Sequence, residues 1–367
     1  MTRRFASILL PLVLALSLAA VPAWTADTST AQSQSLIARD HAFPKVGPYE
    51  VLCGDFHMHT INSDGRLTTR QRVEESFSMG YDVIAITDHG KTRAYTIAKY
   101  VGESLGLVVL RGIETGVASK EHMNVIGFSS LYKPANPHKW SETPGGETIY
   151  YQDEMKKIAE CGGFLIYNHP HVGFREPVEW GIKEGIVQGI EVENDVVGKG
   201  WNTIEWNGRY CYPNAFEYGL KNNLTLFANT DVHGNRNDNP ATTLILAEAR
   251  TPEAVMDALR ARRTAAWFEG VVWGREKLLT DLMQAVVKVS RSVDGLGNPC
   301  LRIENHSPLA LKAAIPGVTE QPVDIGPYQE MPVKYSSAGD KVSITWDNIW
   351  TSPDTKLTTV HKCSVDK

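Results

Sequence analysis

Apolar, strand-like segments alternate with helix-like segments along most of the chain. The segment 82–89, Asp-Val-Ile-Ala-Ile-Thr-Asp-His, is almost continuously apolar before its polar end, as expected for a strand covered on both faces. Thr68 with Gln71 is typical of a capping box at the start of a helix, and Pro252 after Thr251 is typical of the first turn of another. About seven such strand–helix units predict a closed parallel α/β barrel.

The character of the sequence changes near Trp273. From Leu282 onward the segments are short and rich in β-branched residues, as in 342–346, and Gly, Pro and Asn separate them. This pattern predicts a small all-β sandwich domain over 277–367, after a barrel over 48–276. A chain of 367 residues exceeds the usual size of a single core, which agrees with two domains.

The N-terminus has the pattern of a secretory signal peptide. Arg3 and Arg4 precede an apolar run over 5–20, and small residues follow up to Ala26. We therefore expect a signal peptide over 1–26, a polar linker over 27–47, and a periplasmic or secreted protein. The apolar run is too short for a comfortable membrane span, so no span is expected after cleavage.

Composition and cysteine usage set further limits. Hydrophobic residues make up 42% and charged residues 22%, and the net charge of −5 argues against a nucleic-acid-binding surface. An exported protein meets oxidising conditions, and Cys300 and Cys363 lie near the two ends of the last domain, where a disulfide would clasp it. The odd number formed by Cys53, Cys161 and Cys211 leaves at least one thiol buried and structural.

Histidine and carboxylate residues recur where the predicted strands end. His57 and His59 lie two positions apart, so their imidazoles project from the same face of a strand, and imidazole is a common ligand of zinc and similar metals. Asp64 follows on a loop that Gly65 frees to bend back toward them. The other candidates at strand ends are His89, Glu114, His169, Asp231 and His233.

Active sites of parallel α/β barrels lie at the carboxyl ends of the strands. His122 opens its strand and is the exception, although a loop from the same face would also present it. One histidine at a strand end is more often a satisfied polar residue than a ligand. Their convergence on one face predicts a metal site.

The ordered motifs resemble those of the PHP (polymerase and histidinol phosphatase) family, and the resemblance covers roughly 52–268. The motifs are His57-x-His59, Ser63-Asp64-Gly65, Thr87-Asp88-His89, Gly112-Ile113-Glu114, His122, Asn168-His169-Pro170 and Asp231-x-His233. The resemblance implies a distorted seven-stranded, TIM-like (β/α)7 barrel with two to three divalent metal ions, and free-standing members of the family are mostly phosphoesterases. The last domain lies outside the resemblance.

The resemblance also implies how the ligands are shared among the metals. The first metal would take His57, His59, Glu114 and Asp231; the second Asp64, His89 and His233; the third Glu114, His122 and His169. Glu114 would bridge two metals, and Asp88 would orient a histidine ligand rather than bind metal. Mixed imidazole and carboxylate ligation fits zinc, manganese or iron, and Asp64 stands where some relatives have histidine.

Such a cluster would generate hydroxide from bound water near pH 7 and neutralise the phosphate oxygens, so no Ser or Cys nucleophile is needed. His171 and Arg175 are candidates to grip the phosphate, although Arg175 is equally typical of a solvated surface residue. Weaker candidates are Lys91, Arg111 and Arg236. The insertion 199–208 would either roof the pocket through Trp201 and Trp206 or bury these indoles in packing.

The sequence therefore predicts an exported, metal-dependent phosphoesterase that hydrolyses a small organic phosphate ester. One alternative is an amidohydrolase-type C–N hydrolase, since that group also carries His-x-His on its first strand. Another is a non-catalytic metal- or ligand-binding module, although a decayed site usually loses some of its ligands. The last domain would bind a partner, a glycan or the barrel itself, and a role in packing alone is the default expectation.

Overall fold

The computed structural model describes residues 42–117, 121–133, 151–196, 203–206, 209–236, 240–335 and 340–365. The predicted signal peptide and most of the predicted linker lie outside these residues. Within the described ranges, no helix is both long and apolar enough to cross a membrane.

The first part of the chain alternates strands and helices. These elements are β1 (Glu50–Asp55), α1 (Thr69–Ser78), β2 (Val83–Ile86), α2 (Ala94–Ser104), β3 (Val108–Val117), β4 (Glu121–Ile126), α3 (Tyr151–Glu160), β5 (Phe164–Tyr167), α4 (Glu176–Lys183), β6 (Val187–Asn194), β7 (Ile204–Trp206), β8 (Arg209–Cys211), α5 (Pro213–Lys221), β9 (Thr225–Asn229), β10 (Thr242–Ala247), α6 (Pro252–Arg260), β11 (Thr264–Phe268) and β12 (Val271–Gly274). The predicted helix starts are confirmed, because Thr68 and Gln71 form a capping box and Thr251 caps α6.

The strands β1, β2, β3, β4, β5, β6 and β9 pair in that order and form the layer that carries the candidate ligands. The predicted α/β class is confirmed, but the all-parallel pairing is wrong at β4, which runs antiparallel to both of its neighbours. The cause is the short connection between Val117 and Glu121, since a parallel crossover needs a dozen or more residues. β10 also pairs antiparallel with β1, and β11 continues the sheet beyond it.

Backbone hydrogen bonds join the first and last strands of this series just beyond their ends. The amide of Asp231, which follows β9, donates to the carbonyl of His57 at 2.8 Å. The amide of His59 donates to the carbonyl of Val232 at 3.0 Å, and Met58 and Val232 form a parallel bridge. Candidate ligands therefore take part in the contact that brings β9 alongside β1.

Aromatic rings fill the interior beneath this rim. Phe56 and Phe164 each pack edge-on against Phe227, with ring centroids 5.5 and 6.0 Å apart. All three side chains are fully buried. The ligand-bearing ends of the strands therefore stand on a packed, apolar base.

The last part of the chain begins with a helix. Its elements are α7 (Glu276–Val286), β13 (Val287–Val293), β14 (Pro299–Asn305), β15 (Leu311–Ala314), β16 (Val323–Ile325), β17 (Glu330–Lys334), β18 (Lys341–Ser352) and β19 (Thr355–Val365). The expectation of an all-β region from 277 is therefore wrong over α7. Its apolar residues recur at helical spacing, with Leu278, Leu279, Leu282, Met283 and Val286 buried.

The C-terminal strands continue directly from the sheet of the first part of the chain, because β12 pairs in parallel with β18. Trp206 packs edge-on against Trp273 and Trp350, and its indole donates a hydrogen bond to the carbonyl of Pro353 at 3.1 Å. Of the two indoles of the predicted roof, Trp206 is thus a packing residue, whereas Trp201 lies outside the described residues.

Cys300 and Cys363 do not form the expected disulfide. Cys300 lies opposite Ser292 across one edge of β13, and Cys363 lies opposite Val289 across its other edge. Two strand spacings amount to roughly 9–10 Å, whereas disulfide-bonded Cα atoms lie no more than about 7 Å apart. The two thiols are therefore held too far apart to bond.

Candidate metal centre

Glu114 lies at the middle of the cluster of candidate ligands and is only 1% exposed. Both of its carboxylate oxygens face histidine nitrogens. Oε2 lies 3.3 Å from His57 Nε2, 3.3 Å from His59 Nε2 and 3.1 Å from His89 Nδ1, while Oε1 lies 3.1 Å from His122 Nδ1 and 3.4 Å from His169 Nε2. A carboxylate in this position is able to bridge two cations.

Asp231 forms the second wall of the site. Its Oδ1 atom lies 3.1 Å from His57 Nε2 and 3.0 Å from His59 Nε2. The residue has a φ of 50°, in the left-handed region that residues other than glycine seldom adopt. The hydrogen bond from its backbone amide to the carbonyl of His57 holds the backbone in this conformation, so the side chain is fixed toward the imidazoles.

Asp64 closes the outer side of the cluster. Its Oδ2 atom lies 3.4 Å from His89 Nε2 and 3.3 Å from His233 Nε2. The loop that carries it turns tightly at Gly65, where a Cβ atom would stand 2.5 Å from the backbone of His59. Glycine is therefore required for this loop to fold back, as its place in the sequence predicts.

His122 reaches the site because β4 is antiparallel. His122 pairs with Gly116 of β3, so the beginning of β4 lies at the same rim as the carboxyl end of β3. The strand direction, and not a separate loop, resolves the apparent exception in the sequence.

The donor set fits divalent metal ions. Groups of ligand atoms that lie within 4.8 Å of one another are formed by His59, Asp64, His89 and His233; by His57, His59 and Asp231; by His57, Glu114 and His169; and by His89, Glu114 and His122. Neither His57 Nε2 nor Glu114 Oε2 has a hydrogen-bond partner among the described residues, although both atoms are buried. The edges of a tetrahedral zinc site, with ligands at about 2.0–2.1 Å, are roughly 3.3 Å long, close to the separations seen here.

The groups overlap more than the sets implied by the resemblance, because His59 also falls with Asp64, His89 and His233, and His57 with Glu114 and His169. His89 lies against Glu114 as well as Asp64, so it stands between the second and third sets of ligands. The members of the first set, His57, His59, Glu114 and Asp231, lie close together, since each imidazole is within 3.3 Å of both carboxylates.

The charges within the cluster are strongly coupled. Burial lowers the pKa of His57, but Asp231, Glu191 and Glu114 more than offset this and raise it well above its usual value. Burial raises the pKa of Glu114, but His57, His122 and His169 hold it well below its usual range. Protons and metal ions compete for the same nitrogen atoms, so metal binding here releases protons.

Glu191 is a buried carboxylate that the sequence patterns do not identify as part of the site. It orients His57 and His169 from the side away from the other ligands. Glu191 Oε1 lies 2.7 Å from His57 Nδ1 and accepts from the amide of Asn229 at 2.9 Å, while its Oε2 accepts from the backbone amide of His169 at 2.7 Å. This contact leaves His57 Nε2 directed at the metal ligands. The only signal in the sequence is a glutamate between Ile190 and Val192 in an otherwise apolar strand.

Asp88 holds the ligand loop rather than an imidazole. Its carboxylate accepts from the amide of Thr60 at 2.7 Å and from the hydroxyl of Ser63 at 2.8 Å. Arg72, fully buried and also missed, donates to the carbonyls of His59 at 3.1 Å and Gly234 at 2.7 Å. Together they fix the backbone on both sides of the metal ligands.

The candidates for phosphate binding are placed differently from one another. His171 lies beside His169, with its Nδ1 atom 2.8 Å from the carbonyl of His169. Arg175 is 46% exposed and pairs with the buried Glu121 at 3.1 Å. Lys91 donates to the carbonyl of Asn62 at 2.9 Å and is exposed.

The two remaining arginines are engaged away from the cluster. Arg111 stacks over the ring of Tyr95 at 4.2 Å. Arg236 is buried in ion pairs with Asp55 and Glu75, both at 2.8 Å. Neither is placed to grip a phosphate among the metal ligands.

Two solved structures are similar to this chain to different degrees. A two-domain protein from Bacteroides vulgatus, described as containing a predicted PHP-like metal-dependent phosphoesterase, superimposes with a TM-score of 0.73 at 24% identity, over 89% of this chain and 99% of that one. A protein from Bifidobacterium adolescentis that is described as a metal-dependent phosphoesterase gives a TM-score of 0.39 at 16% identity, over 50% of this chain and 88% of that one.

The similarity to curated sequences is local. Phosphoribosyl 1,2-cyclic phosphate 1,2-diphosphodiesterase of Eggerthella lenta is 40% identical over 60 residues, which are 16% of this chain and 23% of that protein. This chain therefore spans about a quarter of the curated relative that it matches. No family model matches the chain. The Bacteroides protein and this chain share one fold, and the resemblance to the PHP family that the motifs indicate is confirmed at that level.

Proposed function

We propose that this chain is a metal-dependent phosphoesterase that hydrolyses a small organic phosphate ester. The observation that carries the proposal is the position of Glu114, whose two oxygens lie within 3.4 Å of nitrogens from five histidines. Such a dense set of imidazoles and carboxylates suits a cluster of two to three divalent ions of zinc, manganese or iron. Bound there, these ions would supply Lewis-acid chemistry and lower the pKa of a water nucleophile.

The residues of the chain prepare the ligand atoms for this task. The carboxylate of Glu191 is hydrogen-bonded to Nδ1 of His57, and the carbonyl oxygen of Asp231 lies 2.7 Å from Nδ1 of His233. The Nε2 atoms of both histidines therefore face the site. The amide of Asn168 donates to Glu114 Oε1 at 3.1 Å and fixes the plane of the bridging carboxylate. His171, beside His169, is the side chain that we assign to contact a phosphate oxygen.

We also infer the finer architecture and the location. The seven strands β1 to β6 and β9 would form the distorted barrel, joined at the bridge between Met58 and Val232. The N-terminal pattern supports export to the periplasm or beyond. The phosphate ester would therefore be met outside the cytoplasm.

The test combines metal analysis with a screen of phosphate release on one preparation of the full chain. The panel contains phosphate monoesters, linear diesters and cyclic diesters, the last because the Eggerthella relative is named for a cyclic phosphate. We expect bound divalent metal, hydrolysis of at least one class, and loss of that activity with a chelator. His57→Ala and Asp231→Ala should lower it at least about a hundredfold.

Matched controls separate the site from general damage. His306→Ala and Asp257→Ala change the same residue types outside the cluster, at a half-buried and an exposed position respectively, and they should retain activity. Full activity in metal-free protein or in the His57 variant would reject the proposal. Release of ammonia or an amine from amide substrates, with no phosphate release, would favour the C–N hydrolase instead, and metal binding without turnover would indicate a binding module.

A further inference from the structure

A basic cavity lies at the end of the barrel strands opposite to the metal centre. Its volume is about 860 Å³, and its polar lining includes Lys45, Tyr49, Arg262, Arg263, Arg275 and Lys277. Tyr49 immediately precedes β1, whereas the ligand His57 comes after that strand ends. A strand of this length separates the two sites by roughly 20 Å.

The positive charge of this cavity is only partly neutralised. Lys277 pairs with Asp281 at 2.7 Å, and Lys45 pairs with Glu50 at 3.5 Å. By contrast, no carboxylate of the described residues lies within ion-pair distance of Arg262, Arg263 or Arg275. Three guanidinium groups that line one cavity without a carboxylate partner favour the binding of an anion there.

Each of these arginines is already fixed through one of its N–H groups. Arg262 Nε donates to the carbonyl of Asn223, Arg263 Nε donates to the carbonyl of Leu246 at 3.0 Å, and Arg275 Nη2 donates to the carbonyl of Leu224 at 2.7 Å. The guanidinium of Arg263 also stacks 4.7 Å above the ring of Tyr49. The forks are therefore held in place before any ligand arrives, which lowers the entropic cost of binding.

One N–H donor of these three arginines lacks an acceptor among the described residues. Arg275 Nη1 is buried and has no hydrogen-bond partner among the described residues. Burial, and to a lesser degree the neighbouring charge of Arg262, lower the pKa of Arg275. An unsatisfied guanidinium N–H is the group that an oxyanion would satisfy.

We propose that this cavity binds a small organic polyanion, with two or more phosphate, sulfonate or carboxylate groups, between Arg262 and Arg275. The planar guanidinium fork matches such oxyanions in two-point hydrogen bonds. Tyr49, on whose ring Arg263 is stacked, lines the cavity beside these groups and adds apolar surface for the organic part of the ligand. The size of the cavity suits a ligand of a few hundred daltons rather than a single inorganic ion. This second site is independent of the phosphoesterase proposal.

The probe for this site is benzene-1,3-disulfonate, which is neither hydrolysed by a phosphoesterase nor a strong metal chelator. Isothermal titration of the full chain should show one bound molecule that inorganic sulfate displaces only at much higher concentration. The double variant Arg262→Gln, Arg275→Gln should weaken binding about tenfold or more, because charge-assisted hydrogen bonds are lost. Absence of binding to the wild type, or unchanged binding to the double variant, would overturn the proposal.

Two further variants locate the binding. Arg260→Gln removes the same charge from α6 outside the cavity, and Asp231→Ala alters the metal centre; both should bind the probe as the wild type does. Loss of binding in Asp231→Ala would place the disulfonate at the metals instead. Should the double variant fail to fold, phenylglyoxal labelling of the wild type decides: the probe should protect Arg262 and Arg275, and protection of neither would reject the site.

Discussion

His57 Nδ1 lies 2.7 Å from Glu191 Oε1, and neither side chain is exposed to solvent. The pair joins the end of β1 to β6 across the site, and it fixes the tautomer of an imidazole that faces two other carboxylates. Both residues are thus part of one assembly, although only His57 stands in a recognisable motif.

The first prediction concerns this pair. Glu191→Gln should weaken metal affinity by about 10- to 100-fold, because an amide orients His57 less firmly and does not raise the basicity of its imidazole. Competition titration with a metal-sensing chelator measures the change. Glu184→Gln, at an exposed position after α4, is the matched control. Equal affinities for both variants would show that Glu191 has only a packing role.

The loop at Gly65 provides the second prediction. Gly65→Ala brings a Cβ atom to 2.5 Å from the backbone of His59, which should cost about 1–3 kcal/mol and push Asp64 away from His89 and His233. We expect a lower melting temperature and the loss of one metal ion per chain, measured by elemental analysis. Gly295→Ala, where nothing lies within 4 Å of the added atom, should change neither quantity. Unchanged metal content in the Gly65 variant would contradict the proposed role of this turn.

The third prediction is a pH dependence that Asp195 introduces. Burial is the main cause that raises the pKa of Asp195 from 3.8 to about 7, against the opposing hydrogen bond from the amide of Ala241. The folded chain therefore holds this proton more tightly than the unfolded chain, so stability falls as the pH rises from about 4 to 7. Asp195→Asn should remove that loss, on the order of 2–4 kcal/mol.

Denaturant unfolding at pH 5 and pH 8 measures this effect. The stability of Asp195→Asn relative to the wild type should increase between the two pH values, and the whole gain should be present above pH 7. Asp257→Asn, at an exposed position on α6, should show no such trend. A constant difference between Asp195→Asn and the wild type would contradict the assignment.

The fourth prediction follows from the positions of Cys300 and Cys363. Because β13 lies between their strands, a reducing agent should leave the melting temperature unchanged within about 1 °C, whereas loss of a native disulfide in a small domain costs about 2–5 kcal/mol. Alkylation of the unfolded, unreduced protein should label both residues in peptide maps. A disulfide-linked peptide containing both would show that the strand order here is different.

The sequence was informative where a side chain able to bind metal follows directly on an apolar strand. His57, His89 and Asp231 are recognisable because each follows an apolar strand, and strand ends of an α/β sheet share one rim. Gly65 was correctly expected at a reversal of the loop. The motif series contributed the rest, including Glu114, which lies at the middle of the cluster.

Other features depend on distant partners, which local patterns do not reveal. Glu191 meets His57 across 134 positions, and nothing in its own strand indicates that contact. The direction of β4 is set by the short link after Val117. In the sequence alone, the apolar segment after this link looks like the strand of another parallel unit. The predicted all-β region begins too early, at 277, because the apolar residues of α7 recur at helical spacing and run directly into a β-branched segment.

The hydrogen bond from Asp231 to the carbonyl of His57 has a consequence for how the protein matures. The residues that would bind the metals also form the backbone hydrogen bonds between the first and last ligand-bearing strands. The complete set of ligands is therefore not assembled in the unfolded chain. We therefore expect metal binding and the pairing of these strand ends to be coupled. A substitution that weakens the contact between β1 and β9, even one far from the ligands, should then lower both the metal content and the stability of the fold.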